Sequence, residues 1–186
     1  SVERSMSDWF KDAVKHKQIK SFKYEAFENI KQIGEGGFGN VYSAYSKDID
    51  QTIALKGLHH SIIHDDKNSF RDFVREIKII TEVDHNINII RFFGIVKDLI
   101  DEIQISDPTE SYYMVLQYAN HGDLRSYLQH HFSKLDWTTK IEMAKEISSG
   151  IKCLHNADIL HRDLAISGHI SPTVGTLDFN RLRAEV

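Results

Sequence analysis

Between two strand-like runs, Ile30–Ile33 and Val41–Tyr45, the sequence reads Gly34-Glu35-Gly36-Gly37-Phe38-Gly39-Asn40. Glycine has no Cβ, so backbone N–H groups at such positions can approach phosphate oxygens closely, and the turns they form commonly take positive φ. The glycine triplet alone is weak, because dinucleotide-binding folds use the same spacing where the turn opens into a helix. Here the residues on both sides alternate as strands, which predicts a hairpin instead. A plain glycine-rich turn would need nothing further. This chain follows it with Ala54-Leu55-Lys56 in a third strand-like run, Thr52–Lys56.

Strand alternation puts Ala54 and Lys56 on the same face. A lysine inside an apolar strand is costly to bury unless it is paired. The partner is expected in the next periodic segment, a helix over 69–81 with Ser69 as its N-cap and Asp72 favouring the dipole. Phe70, Phe73, Val74, Ile77 and Ile80 form its apolar stripe, and Glu76 sits at the edge, three after Phe73 and four before Ile80. That position lets Glu76 face the strand of Lys56. Much later comes Ile159-Leu160-His161-Arg162-Asp163-Leu164.

Taken in that order, the glycine triplet, the strand lysine, the helix glutamate and His-Arg-Asp-Leu resemble a eukaryotic protein kinase of the tyrosine-kinase-like group. The resemblance implies an α+β fold: a kinase small lobe, made of an antiparallel sheet and one helix, followed by the beginning of the helical large lobe. It places an N-terminal extension at 1–26, the small lobe at 27–117, and the hinge and partial large lobe at 118–186. It also implies ATP and Mg2+ as cofactors and a protein substrate or signalling partner. Gly34, Gly36 and Gly39 would lie over the phosphates, with Phe38 capping them. Val41 and Ala54 would pack on the purine, and the backbone of Gln117 and Ala119 would hold its edge, with Leu116 guarding the inner pocket. Lys56 and Glu76 would position the α- and β-phosphates. Asp123, expected as the N-cap of a short helix, would reach the ribose hydroxyls. Asp163 would orient the acceptor hydroxyl, Arg162 would meet a phosphorylated activation loop, and Asp178 would bind the metal.

After Leu164 the sequence departs from the pattern. The asparagine expected five residues beyond Asp163 is Gly168, and the neighbouring His169 offers nitrogen where magnesium prefers oxygen. Asp178-Phe179-Asn180 stands in place of Asp-Phe-Gly, and the sequence stops at Val186 without Ala-Pro-Glu. Transfer of phosphate from ATP to a serine, threonine or tyrosine hydroxyl is therefore expected to be impaired. The alternatives are a catalytically inactive, pseudokinase-type binding module and a non-functional truncated gene product. Neither the residue Ala165 nor Ser167 decides between hydroxyl classes.

The helix expected from Asp136 to about Asn156 carries Ile141, Ala144, Ile147, Ile151 and Leu154 on a face too broad for full exposure. Leaving such side chains wet forfeits roughly 1.5–3 kcal/mol each, so a partner covering helix 137–156 is expected. Residues 1–23 set Trp9, Phe10, Ala13 and Val14 among lysines. That stripe is narrow, which predicts a helix packed on the small lobe rather than on a membrane surface. His59, His60 and His64 fall in a polar stretch and are expected to be solvated rather than metal ligands. Residues 97–110 lack periodicity and are expected to form an exposed insertion.

The chain has 41% apolar and 27% charged residues, and a net charge of −4 gives it no dominant basic field for nucleic acid. Its single cysteine, Cys153, excludes an intrachain disulfide and points to a reducing, cytoplasmic setting. No apolar run reaches membrane-spanning length.

Overall fold

In strands β2 (Phe27–Gly36), β3 (Gly39–Ser46) and β4 (Gln51–Gly57), side chains of opposite character point to alternate sides, as the sequence pattern requires. They join β5 (Phe92–Lys97), β6 (Tyr112–Gln117) and a two-residue strand β1 (Ser21–Phe22) in a six-stranded sheet ordered β1-β5-β6-β4-β3-β2. The computed structural model describes residues 2–36, 39–57, 66–97, 112–119 and 124–159. The chain divides into two compact units, Ser1–Ile77 with Phe92–Tyr118, and Lys78–Arg91 with Ala119–Val186.

The first unit holds the sheet. Every strand pair is antiparallel except β1 with β5, which is parallel. One sheet face packs Phe22, Phe27, Ala44, Ile53, Leu55, Val96, Tyr113 and Val115 into a dry core. Burial, helped by the nearby Tyr42, pushes the Tyr113 hydroxyl pKa up to about 12. Asn29 takes a positive φ of 54° where β2 shifts register against β3, a conformation that asparagine tolerates better than most residues.

Helix α1 (Val2–Lys15) precedes the sheet and buries Phe10 and Ala13. It ends in a left-handed turn at Lys17, where the Gln18 and Ile19 amides both donate to the Ala13 carbonyl. That turn sends Ile19 and Phe22 back into the core. The strand formed by Ser21 and Phe22 is absent from the sequence-based expectation, because two residues carry no readable period.

Helix α2 (Asp66–Val83) begins three residues before the expected start. Ser69 therefore lies inside the helix and is not its N-cap. The apolar stripe marks only the buried stretch, and the turn before it carries no hydrophobic signal to place the helix start.

In the second unit, α3 (Leu124–His131) stacks the Tyr127 and His131 rings at 4.4 Å. Helix α4 (Trp137–Asn156) starts where expected, with the Asp136 carboxylate accepting from the Thr139 amide at 2.8 Å. That hydrogen bond holds the Asp136 pKa below its ordinary value. The apolar face of α4 is unevenly covered: Leu154 is buried, Ile147 and Ile151 are half-buried, and Ile141 is 50% exposed. Lys140 lies over the exposed Phe132 ring at 3.7 Å and shields part of that surface. Cys153 sits 3.7 Å from the His85 ring nitrogen. Among the described residues no helix is long and apolar enough to cross a membrane.

Candidate active site

Strand register decides which side chains can meet. Lys56 stands opposite Val41 in β3 and Met114 in β6, while Ala54 stands opposite Ser43 and Leu116. Directly paired residues share a sheet face. Val41, Ala54, Lys56, Met114 and Leu116 therefore line the face opposite the dry core. Helix α2 supplies that face with Glu76, whose Oε1 lies 2.5 Å from the Lys56 ammonium. The pair is largely dry, with 6% of the lysine side chain and 19% of the glutamate side chain exposed.

The glycine loop is a hairpin. Gly34 pairs with Val41, Glu35 with Asn40 and Gly36 with Gly39, so the chain enters and leaves as strand, with no helix opening after the turn. Gly34 itself lies within β2 and does not take a positive φ. An added Cβ at Gly34 would meet only the Val41 Cβ at 3.8 Å, an ordinary contact. The chain's own packing therefore does not demand glycine at this position. What the missing Cβ leaves open is the space beside Val41.

Gln117 ends β6 opposite Ile53, and Ala119 follows beyond the strand, half-buried. Phe38, Asp123, Asp163, Asp178, Arg162, Gly168 and Asn180 lie outside the described residues, as do the loop histidines, residues 98–110 of the expected insertion, and the C-terminal residues. The described residues thus bring Val41, Ala54 and Lys56 together on one sheet face, with Glu76 of α2 against Lys56 and Gly34 paired with Val41. Those residues fit a nucleotide: a small side chain at 54, open backbone at 34, and a fixed cation between them and the helix. No cluster of three or more His, Cys, Asp or Glu that could hold a metal occurs among the described residues.

Sequence reasoning missed two neighbours on this face. Met114 is 1% exposed and stands directly across from Lys56. Tyr112, two residues earlier on the same face, contacts Phe70 and Phe73 of α2 and Phe10 of α1. The alternation Tyr112, Met114, Leu116 carried this signal, but only the partner strands show which side it faces.

Comparison with known proteins finds protein kinases. The profile of the protein kinase domain matches residues 27–167. The chain is 32% identical over 143 residues to cyclin-dependent kinase 12 of Drosophila melanogaster, covering 77% of this chain and 12% of that protein. It is 33% identical over 147 residues to the probable serine/threonine-protein kinase kinX of Dictyostelium discoideum, covering 77% of this chain and 12% of that protein. LIM domain kinase 1 of Drosophila melanogaster is 28% identical over 134 residues, covering 72% of this chain and 9% of that protein. The chain thus spans about a tenth of the length of these relatives.

Proposed function

The chain belongs to the protein kinase domain family, and on that premise we propose that it binds Mg-ATP on the Lys56 face of the sheet and transfers phosphate poorly. When bound, the nucleotide supplies the phosphoryl group and the metal offsets its charge. The chain's own residues do the rest. Glu76 fixes the direction of the Lys56 ammonium, so the cation is already oriented for phosphate oxygens and loses little freedom on binding. Val41 and Ala54 offer a flat apolar surface for the base, and Gly34, Gly36 and Gly39 offer backbone N–H groups. Asp163 accepts the hydrogen bond of the acceptor hydroxyl and aims it, Asp123 takes the ribose, and Asp178 contributes oxygen to the metal.

The dry Lys56–Glu76 pair carries this reading. A buried ion pair adds little to folding stability, so holding one at 2.5 Å is best accounted for by a ligand that needs the charge. The impairment rests on Gly168, which removes the oxygen donor expected five residues beyond Asp163. A catalytically inactive binding module of pseudokinase type is the limiting form of the same reading. Serine or threonine is the proposed acceptor, the class printed in the name of the Dictyostelium relative. Membership of the tyrosine-kinase-like group rests on the motifs alone.

Millimolar Mg-ATP should raise the thermal unfolding midpoint, and the absence of a shift would remove the nucleotide site. Phosphate transfer to a generic protein substrate should stay near background and change little in Asp163→Asn. A large drop in that variant would show an active enzyme and overturn the impairment.

A further inference from the structure

The N-terminal segment does more than precede the sheet. Phe10 is 3% exposed, and its ring meets Phe70 edge-on at 5.7 Å, Phe73 at 6.3 Å and Tyr112 at 5.4 Å. Phe70 and Phe73 belong to α2, and Tyr112 belongs to β6 on the face that carries Lys56. Phe10 therefore fills the space between the helix that bears Glu76 and the sheet that bears Lys56. Phe73 lies three residues, less than one turn, before Glu76, so the wedge acts on the stretch of α2 that sets the glutamate's position.

The segment is also tied down at its other end. The Lys20 carbonyl accepts from the Ile95 amide at 2.9 Å, and Ser21 and Phe22 pair in parallel with Ile95 and Val96. Gly94 makes that approach feasible. Its φ of +144° suits glycine, and an added Cβ would collide with the Lys20 carbonyl oxygen. One end is thus clamped on β5 and the other is inserted beside α2.

We propose that residues 2–22 are a built-in clip, and that Phe10 is a positioning residue that holds α2 where Glu76 meets Lys56. The proposal rests on the nucleotide reading for its consequence and on the ion pair for its mechanism. Removing the Phe10 ring leaves a cavity that α2 can relax into, and the partly solvated Glu76 then withdraws from Lys56. The effect on nucleotide therefore passes through Glu76 and not through any contact of Phe10 with the ligand.

The test compares Phe10→Ala, Phe10→Leu, Glu76→Gln and the double variant Phe10→Ala/Glu76→Gln in the full chain, below the unfolding temperature of each. Two quantities are read: the Mg-ATP dissociation constant, and the rate at which an acetylating reagent modifies Lys56, followed by mass spectrometry. Phe10→Ala should weaken Mg-ATP by about tenfold alone, but by less than about twofold in the Glu76→Gln background, the non-additivity of two residues acting through one contact. Phe10→Leu should recover most of the affinity. Lys56 acetylation should accelerate in Phe10→Ala and Glu76→Gln alike. If Phe10→Ala only lowers the unfolding temperature, leaving affinity and Lys56 reactivity as in the parent, the segment is ordinary packing and the proposal falls. Equal losses of affinity in both backgrounds would overturn it as well. If the parent chain binds no Mg-ATP, the nucleotide reading fails by itself, and the acetylation rates still decide the clip. Should Phe10→Ala not fold, Phe10→Val creates a smaller cavity and is read in the same way.

Discussion

On one face of β4, Ile53 and Leu55 are fully buried among hydrocarbon and aromatic rings. On the other, Ala54 is half-buried and Lys56 is 5% exposed against a carboxylate. Nearly equal burial thus houses opposite chemistries on neighbouring residues of one strand. The apolar face gains free energy with every methylene removed from water. The charged face must first lose the hydration of an ammonium ion and a carboxylate, several kcal/mol for each, before their attraction returns it. The first face holds the sheet together, and the second is the one proposed to bind nucleotide.

Substitutions can break or sharpen that contrast. Leu55→Ala should have the largest effect on folding, about 2–5 kcal/mol in urea unfolding, because the cavity opens in a core with no room to collapse. Glu76→Gln should cost about 1.5–3 kcal/mol, since a neutral amide replaces the carboxylate that the buried ammonium faces. The double variant Lys56→Met/Glu76→Leu should cost less than about 1 kcal/mol or even stabilise, because it removes the desolvation penalty of both ions together with their attraction. If Lys56→Met/Glu76→Leu proved as damaging as Leu55→Ala, the division between the two faces would fail.

Two smaller effects concern pH. The folded-state pKa of Tyr113, about 12, lies above its ordinary value of 10.0, so burial of the neutral hydroxyl favours the fold fully below pH 10. That contribution fades as pH rises from 10 to 12, where the unfolded chain ionises first. Tyr113→Phe should flatten the alkaline loss of stability over that window. Asp136 behaves in the opposite sense. Its lowered pKa means that its contribution is present above its ordinary value of 3.8 and disappears as pH falls through the folded-state value. Asp136→Asn should remove a small part of the acid sensitivity of α4, measured by circular dichroism.

Alternation made both faces of β4 legible in advance, and the helical spacing of Phe73, Glu76 and Ile80 was enough to pair Glu76 with Lys56. The hairpin followed from strand character on both sides of the glycines. Other features had no local signal. Strand β1 is two residues long and pairs in parallel with a segment more than seventy residues away, so no period announces it. The role of Gly94 becomes visible only when Lys20 lies against it. The apolar stripe of α1 was readable, but its target, the cluster of Phe70, Phe73 and Tyr112, is assembled from two distant elements. The start of α2 escaped because its first turn lies outside the apolar stripe. The large-lobe residues Asp123, Asp163 and Asp178 remain readings of motif and order.

Urea unfolding of Lys56→Met/Glu76→Leu beside the parent chain, each with and without Mg-ATP, tests the central claim most directly. The parent should gain about 2.7 kcal/mol at a hundredfold excess of nucleotide over its dissociation constant. The variant should lie within about 1 kcal/mol of the parent, or above it, without nucleotide, and gain nothing from adding it. A variant that is strongly destabilised alone, yet still stabilised by Mg-ATP as much as the parent, would contradict the account.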